Sequence, residues 1–431
     1  MLFTQMLKQD NKEKVCLVDG EKVFTYDDLE EKSENLAHAF AVKIRKGDKV
    51  LLCLENPFEQ LLCFFAIIKA GGICIFAHAD MTDKTCAELM ARHDIEHKIT
   101  QFEHTNNNIN PLPQLTETDI FLGVLSSGTT GTPKLVLRDH ISWLKAFPQQ
   151  SRIFNLHCQD RLFLVGSLAY SANLNACLHM LFTGGTVVFS RSKMPRTWVR
   201  QISEHNISAL FMVPANYRIL VKNIHEQNAK ITSVVTGGAK IDVDTVKILA
   251  DRFPSARIVE YYGASEVGHV SYADKEDLLA RPDSVGRLFP GVHVQSKEGV
   301  IWVQSPYVIP ALRPQTSTED RGYVDKEGFL VLSGRTQDII NCGGLKIFAG
   351  QMENLLRTYP GILDAAVFAL PDKLKGEKIC AAIVPEKGKL QQKEIIYFCR
   401  KNMDKFSYPQ KIFFLAKLPL NTNGKVDKKI L

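Results

Sequence analysis

Apolar and polar positions along this chain follow two periods, one near two and one near 3.6 residues, and they alternate. The opening runs "VCLVDG" and "KVFTY" have strand character around the turn residues Asp19 and Gly20, which predicts a hairpin. "TYDDLEEKSENLAHAFAVKI" then sets Leu29, Leu36, Ala37 and Phe40 on one helical face, with Thr25 as N-cap ahead of Asp27 and Asp28. Strand "KVLLCL", helix "FEQLLCFFAIIKA" and strand "GICIF" follow, and this order predicts parallel sheets covered by helices. Residues 101–118, "QFEHTNNNINPLPQLTET", are polar and rich in Asn and Pro, as in an exposed connection.

The alternation resumes with strand "DRLFLVGS", helix "NLNACLHMLFTGG", strand "TVVFS", helix "PRTWVRQISEHN" and strand "ALFMV". It continues through "ITSVVTGGA", helix "DTVKILADRF" and "RIVEYYGASE". From about Val285 to Leu332 short strands and turns predict a small β-rich unit. The last hundred residues, including "AGQMENLLRTYP", "DAAVFALP", "KICAAIVPEKG", a charged helix from Lys389 to Lys405 and "KIFFLAKLP", predict a compact α+β unit. The expected class is α/β: a large N-terminal domain of helix-flanked sheets with the β-rich unit, residues 1–333, then a small α+β domain, residues 334–431, divided near Ser333–Gln337.

Composition narrows the function classes. The 431 residues, 45% hydrophobic and 23% charged, suffice for two or three units that each bury a core. The net charge of +6 is dispersed, which argues against a polyanion-binding tail and a nucleic-acid partner but is compatible with a polyphosphate ligand. Ten cysteines without a CxxC pair, most of them in apolar runs, read as reduced buried thiols rather than a disulfide framework or zinc site. The start, "MLFTQMLKQDNKEK", lacks the succession of a signal peptide, and Lys69, Gly71 and Gly72 break "LLCFFAIIKAGGICIFA" into helix, turn and strand. A cytoplasmic location without a membrane span is expected.

The chemistry begins at "LSSGTTGTPK", residues 125–134. Gly128 and Gly131 free the backbone to turn amides onto an anion, Ser126, Ser127, Thr129 and Thr130 add hydroxyl donors, and Lys134 adds charge. A Walker A loop needs GK[ST] followed by a helix; here the lysine follows Thr-Pro and precedes the strand-like "LVLRD". The loop is therefore expected to join two strands and fold over a triphosphate.

Four further stretches follow in order: "VVTGGAK" (234–240), "EYYGASEVG" (260–268), "STEDRGYVDKEGFLVLSGR" (317–335) and "LPLNTNGKVDKKIL" (418–431). Together with the loop they resemble the signatures of the adenylate-forming superfamily of acyl-CoA synthetases, aryl-acid ligases, peptide-synthetase adenylation domains and luciferases. The resemblance implies an ATP site built from the loop, from Gly237, Gly238 and Ala239, from Tyr261, Tyr262, Gly263 and Ser265 with Tyr262 stacked on adenine, and from Asp320 on ribose with Arg335 nearby. It implies Glu266 as the Mg²⁺ ligand, a task suited to a carboxylate because Mg²⁺ prefers oxygen donors. It implies Lys425 as the catalytic lysine, Gln337 as the hinge of a mobile C-terminal domain, and Gly343 and Gly344 of "NCGGLK" beside a pantetheine thiol.

The implied reaction joins a small-molecule carboxylate to AMP with release of pyrophosphate, then moves the acyl group to a thiol. By the same resemblance "GSLAYSANL" and "LFMVPANY" supply the acyl pocket, with Tyr170, Ser171, Asn173, Val213 and Gly238. Amino-acid-activating relatives carry an aspartate where Ser171 stands; without it a substrate ammonium has no counter-charge, so an acyl or aryl acid, and preferably a fatty or other aliphatic acid, is expected. CoA is the expected acceptor. A phosphopantetheinyl carrier protein, as in siderophore or lipopeptide synthesis, stands as one alternative, and a non-catalytic nucleotide-binding relative as another. Departures from the family pattern are Gln337 for Asp or Lys, Ala349 and Gln351 for Pro and Glu, Asn421 for Thr, and Lys428 near the usual Arg.

Overall fold

The structure, a computed structural model, describes residues 2–8, 13–102, 110–126, 134–335, 339–342, 345–372, 376–386, 390–403, 408–420, 426–428 and 430–431. The chain forms two compact units, one of Met1–Pro282, Gly286–His293 and Gln304–Thr316, the other of Asp283–Val285, Val294–Val303 and Ser317–Leu431.

In the first unit β1 (Val15–Asp19) and β2 (Lys22–Thr25) form the expected hairpin, closed at Gly20 with φ +63°. Thr25 caps α1 (Tyr26–Phe40): its Oγ1 accepts from Asp28 N at 3.1 Å, and the Asp28 carboxylate accepts from Thr25 N at 3.0 Å. Next come β3 (Lys49–Leu52), α2 (Pro57–Lys69) and β4 (Ile73–Phe76), with Asn56 capping α2 and Pro57 at its first position. Lys69 ends this apolar helix almost fully buried, and its charge is met by Glu34 at 2.7 Å and Glu30 at 3.2 Å. With α3 (Asp83–His93), β5 (His97–Ile99), β6 (Ile120–Ser126) and β7 (Lys134–Asp139) this part makes a five-stranded sheet in the order β5-β3-β4-β6-β7.

A larger sheet follows. Its elements are α4 (His140–Leu144), α5 (Phe147–Phe154), β8 (Arg161–Val165), α6 (Ser171–Thr183), β9 (Thr186–Ser190), α7 (Pro195–Glu204) and β10 (Ala209–Phe211), then α8 (Pro214–Leu220), β11 (Ser233–Gly237), α9 (Val243–Arg252), β12 (Arg257–Ala264), β13 (Gly268–Asp274), α10 (Lys275–Ala280) and β14 (Ser284–Leu288). The strands run β14-β13-β12-β11-β10-β8-β9-β1-β2, parallel from β12 through to β1. Phe163, Val188, Leu210, Val234 and Ile258 from the strands pack with Trp198, Tyr217 and Leu249 from the helices into one buried cluster. Parallel strands buried on both faces read as continuous apolar runs, which is why their existence was legible. The short helices α5 and α8 were not, because each spans about two turns and carries a proline within its first two residues.

The second unit holds β15 (His293–Lys297), β16 (Val300–Gln304), β17 (Gln315–Val324) and β18 (Phe329–Arg335) in that spatial order. It continues with β19 (Ile339–Cys342), β20 (Leu345–Phe348), α11 (Ala349–Arg357), β21 (Ile362–Asp372), β22 (Gly376–Pro385), α12 (Gln392–Asn402) and β23 (Lys411–Phe414). These strands form a five-stranded sheet in the order β20-β19-β22-β21, with β23 on β22. Met352, Leu356, Val367, Ile379, Ile383, Ile395 and Cys399 make its core with α11 and α12. The helix expected from Lys389 to Lys405 is Gln392–Asn402. The division expected at 333/334 falls inside β18 of this unit.

Of the described cysteine side chains all are free thiols and only Cys158 is exposed. Among the described residues no helix is long and apolar enough to cross a membrane.

Candidate active site

The chain enters the site at β6 and β7, which pair antiparallel with Leu125 opposite Leu135 and Ser126 opposite Lys134. The lysine of the Ser/Thr/Gly loop thus opens a strand, and no helix N-terminus follows it, as the sequence predicts. Lys134 is exposed. Ser127, Gly128, Thr129, Thr130 and Gly131 lie outside the described residues, and so does the side chain of Ser126.

In the larger sheet β8, β10, β11 and β12 lie side by side and parallel, so the segments leaving their C-terminal ends gather along one sheet edge, where ligands bind in α/β folds. Tyr170 and Ser171 follow β8, Val213 follows β10, Gly238 and Ala239 follow β11, and Ser265 and Glu266 follow β12. The glycines there are sterically required. A Cβ on Gly237 would lie 2.7 Å from the Tyr261 ring, one on Gly263 would lie 2.2 Å from Gly268 O, and Gly238 takes φ +83° with open space beside it.

Tyr261 and Tyr262 leave opposite faces of β12. Tyr261 packs under Gly237 among Phe154, Phe211 and His269, with ring centroids 5.8, 6.4 and 4.5 Å away. Tyr262, on the other face, is half-buried. Of the two tyrosines assigned to ATP from the sequence, only Tyr262 stands clear of that internal cluster.

The Gly237–Lys240 turn is pinned by a buried carboxylate. Glu260, 3% exposed, accepts from Ile241 N at 2.6 Å and from Lys240 Nζ at 2.8 Å. Burial raises the Glu260 pKa while Lys240 opposes the rise. A carboxyl raised in the folded state stabilises the fold at pH below its unfolded pKa and loses that contribution as pH rises. Lys240→Met strips the opposing charge and raises this pKa further. The variant is expected to cost about 3 kcal/mol at pH 7, where Glu260 must stay charged without its partner or take up a proton. The deficit should shrink toward pH 4.5, and urea unfolding of both chains across that range checks it.

Glu266 sits in the turn between β12 and β13. Its carbonyl accepts from Ile309 N at 3.0 Å, and Val267 N closes the turn on Ala264 O at 3.2 Å. Arg138 of β7, 1% exposed, donates from Nε and Nη2 to Ser265 O at 3.1 and 2.5 Å and from Nη1 to Tyr307 O at 3.1 Å. Burial pulls its guanidinium down to about 10, still protonated at neutral pH, and Glu266 opposes the shift. The half-buried Glu266 carboxylate itself has no hydrogen-bond or ion-pair partner among the described residues. A rigidly presented, uncommitted carboxylate fits a hard cation that is also held by phosphate oxygens. Sequence reading missed Arg138, although an arginine within the strand "LVLRD" was a signal, since an inward-facing charge on a strand must find partners.

On the acyl side, Tyr170 precedes α6 with its ring 5.0 Å from His78, a neighbour the sequence did not indicate. Burial raises the Tyr170 pKa, with a further push from Asp80. The Asn173 amide nitrogen is taken up by Val165 O and Ser167 O at 3.2 and 3.0 Å, so this side chain holds the turn after β8. Ser171 starts α6 and Val213, half-buried, precedes α8.

In the second unit Asp320 and Arg335 are register partners across β17 and β18, and Asp320 is buried. Gln337, Gly343, Gly344 and Lys425 lie outside the described residues. What flanks Lys425 is well anchored: Leu420 and Val426 form an antiparallel bridge, and Lys428 pairs with Glu353 of α11 at 2.8 Å. Lys428, one of the departures noted in the sequence, thus makes an ion pair. Ala349 is buried as the first residue of α11, a position where proline is also favoured.

Comparison with known proteins agrees with this layout. The model of the AMP-binding enzyme family matches residues 3–110 and 98–310, and that of the AMP-binding enzyme C-terminal domain matches 351–425. The uncharacterized acyl-CoA ligase YhfT of Bacillus subtilis is 30% identical over 335 residues, 74% of this chain and 69% of the relative. The putative long chain fatty acid-CoA ligase VraA of Staphylococcus epidermidis is 27% identical over 96% of this chain and 94% of its own. Among solved structures, o-succinylbenzoate coenzyme A synthetase (MenE) of Bacillus subtilis, in complex with ATP and magnesium ion, superposes with a TM-score of 0.87 at 20% identity, covering 99% of this chain and 98% of that one. With the phosphate-loop strands, the glycine turn and the Glu266 turn on one scaffold and both family models matched in order, the chain belongs to the AMP-binding, adenylate-forming enzyme family.

Proposed function

We propose that this protein is an AMP-forming acid–thiol ligase that activates an aliphatic carboxylic acid, of the fatty type, with MgATP and transfers the acyl group to CoA. The observation that carries the reading is the Glu266 turn, fastened on its backbone by β7 so that the carboxylate stays uncommitted while the same strand begins at Lys134. The acid–CoA ligases among the relatives support the reaction class, and VraA supports the fatty substrate. Ser171 supports an acid without an ammonium group.

In the first half-reaction a carboxylate oxygen of the substrate attacks the α-phosphorus of ATP, the bond to the β-phosphate oxygen breaks, and pyrophosphate leaves with acyl-AMP retained. Lys134 and the loop before it hold the departing phosphates; Gly238, Ala239 and Tyr262 hold adenine; Asp320 accepts from the ribose hydroxyls, with Arg335 beside it. Lys425 stands between the two approaching anions and offsets their repulsion. Glu266 holds Mg²⁺, which when bound neutralises phosphate charge. In the second half-reaction the domain beyond residue 334 turns about Gln337, withdraws Lys425, and presents Gly343 and Gly344 to the pantetheine arm. The thiol then attacks the acyl carbonyl and AMP leaves.

Carboxylate-dependent exchange of pyrophosphate into ATP over a panel of fatty, aryl and amino acids tests this reading, followed by product analysis with CoA. Aliphatic acids are expected to support exchange, and free CoA to convert them to thioesters in a saturable way. Exchange with no acid overturns the ligase, and acyl-AMP that ignores CoA but loads a carrier protein overturns the acceptor.

A further inference from the structure

We propose that Arg138 is a positioning residue for Glu266, fixing where its carboxylate is presented relative to the phosphate loop. The inference rests on the functional reading above and goes beyond it by adding a residue that touches no substrate. The guanidinium is committed to backbone. Two of its nitrogens converge on Ser265 O, one residue before Glu266, and a third reaches Tyr307 O, whose chain segment also supplies the Ile309 N–H that binds Glu266 O. Both ends of the peptide unit carrying Glu266 are thereby fastened, while its side chain is left without a partner among the described residues. Gly268 closes the far side of the turn: φ is +70°, and a Cβ there would meet the Tyr307 side chain at 2.9 Å.

The second observation is the strand on which Arg138 stands. Lys134, Val136 and Arg138 share one face of β7, so Lys134 and Arg138 are about 13 Å apart along an extended strand. That strand is paired along its length with β6, at whose end the phosphate loop departs. One rigid element therefore sets the separation of the loop lysine and the metal-binding turn. The next residue, Asp139, makes its own tie to the same segment through Arg313 at 2.8 Å. Holding β7 to residues 304–316 thus does not by itself require Arg138. Arginine suits the task because its planar fork reaches several carbonyls at once, whereas a lysine reaches them singly.

The test uses the intact chain and needs no acid substrate. ATP affinity is measured by calorimetry with MgCl₂ and with EDTA, alongside the melting temperature, for the parent, Arg138→Met, Arg138→Lys, Glu266→Gln and the Arg138→Met/Glu266→Gln double variant. Arg138→Met is expected to bind ATP in EDTA about as the parent does and to lose about tenfold of the Mg²⁺-dependent gain. Arg138→Lys should retain part of that gain, and the double variant should be no worse than Glu266→Gln, because both changes act on one interaction. If Arg138→Met fails to fold, Arg138→Lys decides: a gain between parent and Glu266→Gln supports the role. A variant with a lowered melting temperature but the parental Mg²⁺ gain, or additive losses in the double variant, overturns it. A parent chain whose ATP binding ignores Mg²⁺ overturns the functional reading itself, and this inference with it.

Discussion

Lys425→Ala is expected to lower the rate of acyl-adenylate formation by about 10²–10³-fold or more, the scale seen when a group aimed at developing transition-state charge is removed. The reason is electrostatic. A carboxylate and a polyphosphate repel each other as they close, and a single ammonium between them is worth most in a site that excludes water. The described anchors that flank Lys425 in sequence, the Leu420–Val426 bridge and the Lys428–Glu353 pair, are made by other residues. The melting temperature should therefore be unchanged. Thioester formation from chemically supplied acyl-AMP should also survive, because the role proposed for Lys425 is confined to the first half-reaction. Pyrophosphate exchange and single-turnover thiol transfer, measured on the same preparation, separate the two; equal loss in both, or full exchange, would contradict the assignment.

Glu266→Gln is expected to have the next largest effect, a fall of about 10²-fold in exchange at limiting Mg²⁺, partly recovered as Mg²⁺ is raised. The substitution keeps volume and removes charge. It should leave the fold intact, because the turn is held by the carbonyls of Ser265 and Glu266 and not by the carboxylate. Arg138 loses one neighbour that opposes the lowering of its guanidinium by burial. A magnesium titration of exchange decides: a deficit independent of Mg²⁺ concentration would remove Glu266 from the metal.

Local rules were enough for much of the architecture. Thr25 announced the N-cap of the first helix, the apolar runs of the parallel strands announced the sheet, and "LVL" after Lys134 announced a strand where a Walker loop would need a helix. Residue type does not separate the two tyrosines of "EYYG", and only the family resemblance put Tyr262 on adenine. The packing of Phe154, Phe211 and His269 around Tyr261 adds a physical difference that the sequence did not carry. Asn173 read as a pocket residue, yet its amide is engaged in holding the turn that brings Tyr170 and Ser171 to the sheet edge.

The sequence by itself determined the family, because its short ordered stretches resemble the signatures of adenylate-forming enzymes and the family models match the chain in the same order. Only the tertiary structure decided what holds the residues of those stretches in place. Arg138 acts on a turn 127 residues away, and Lys240 meets Glu260 only because β11 and β12 lie side by side. Such partners carry no local pattern, since a buried charge has to be satisfied by whatever the fold brings near and not by its neighbours in the chain.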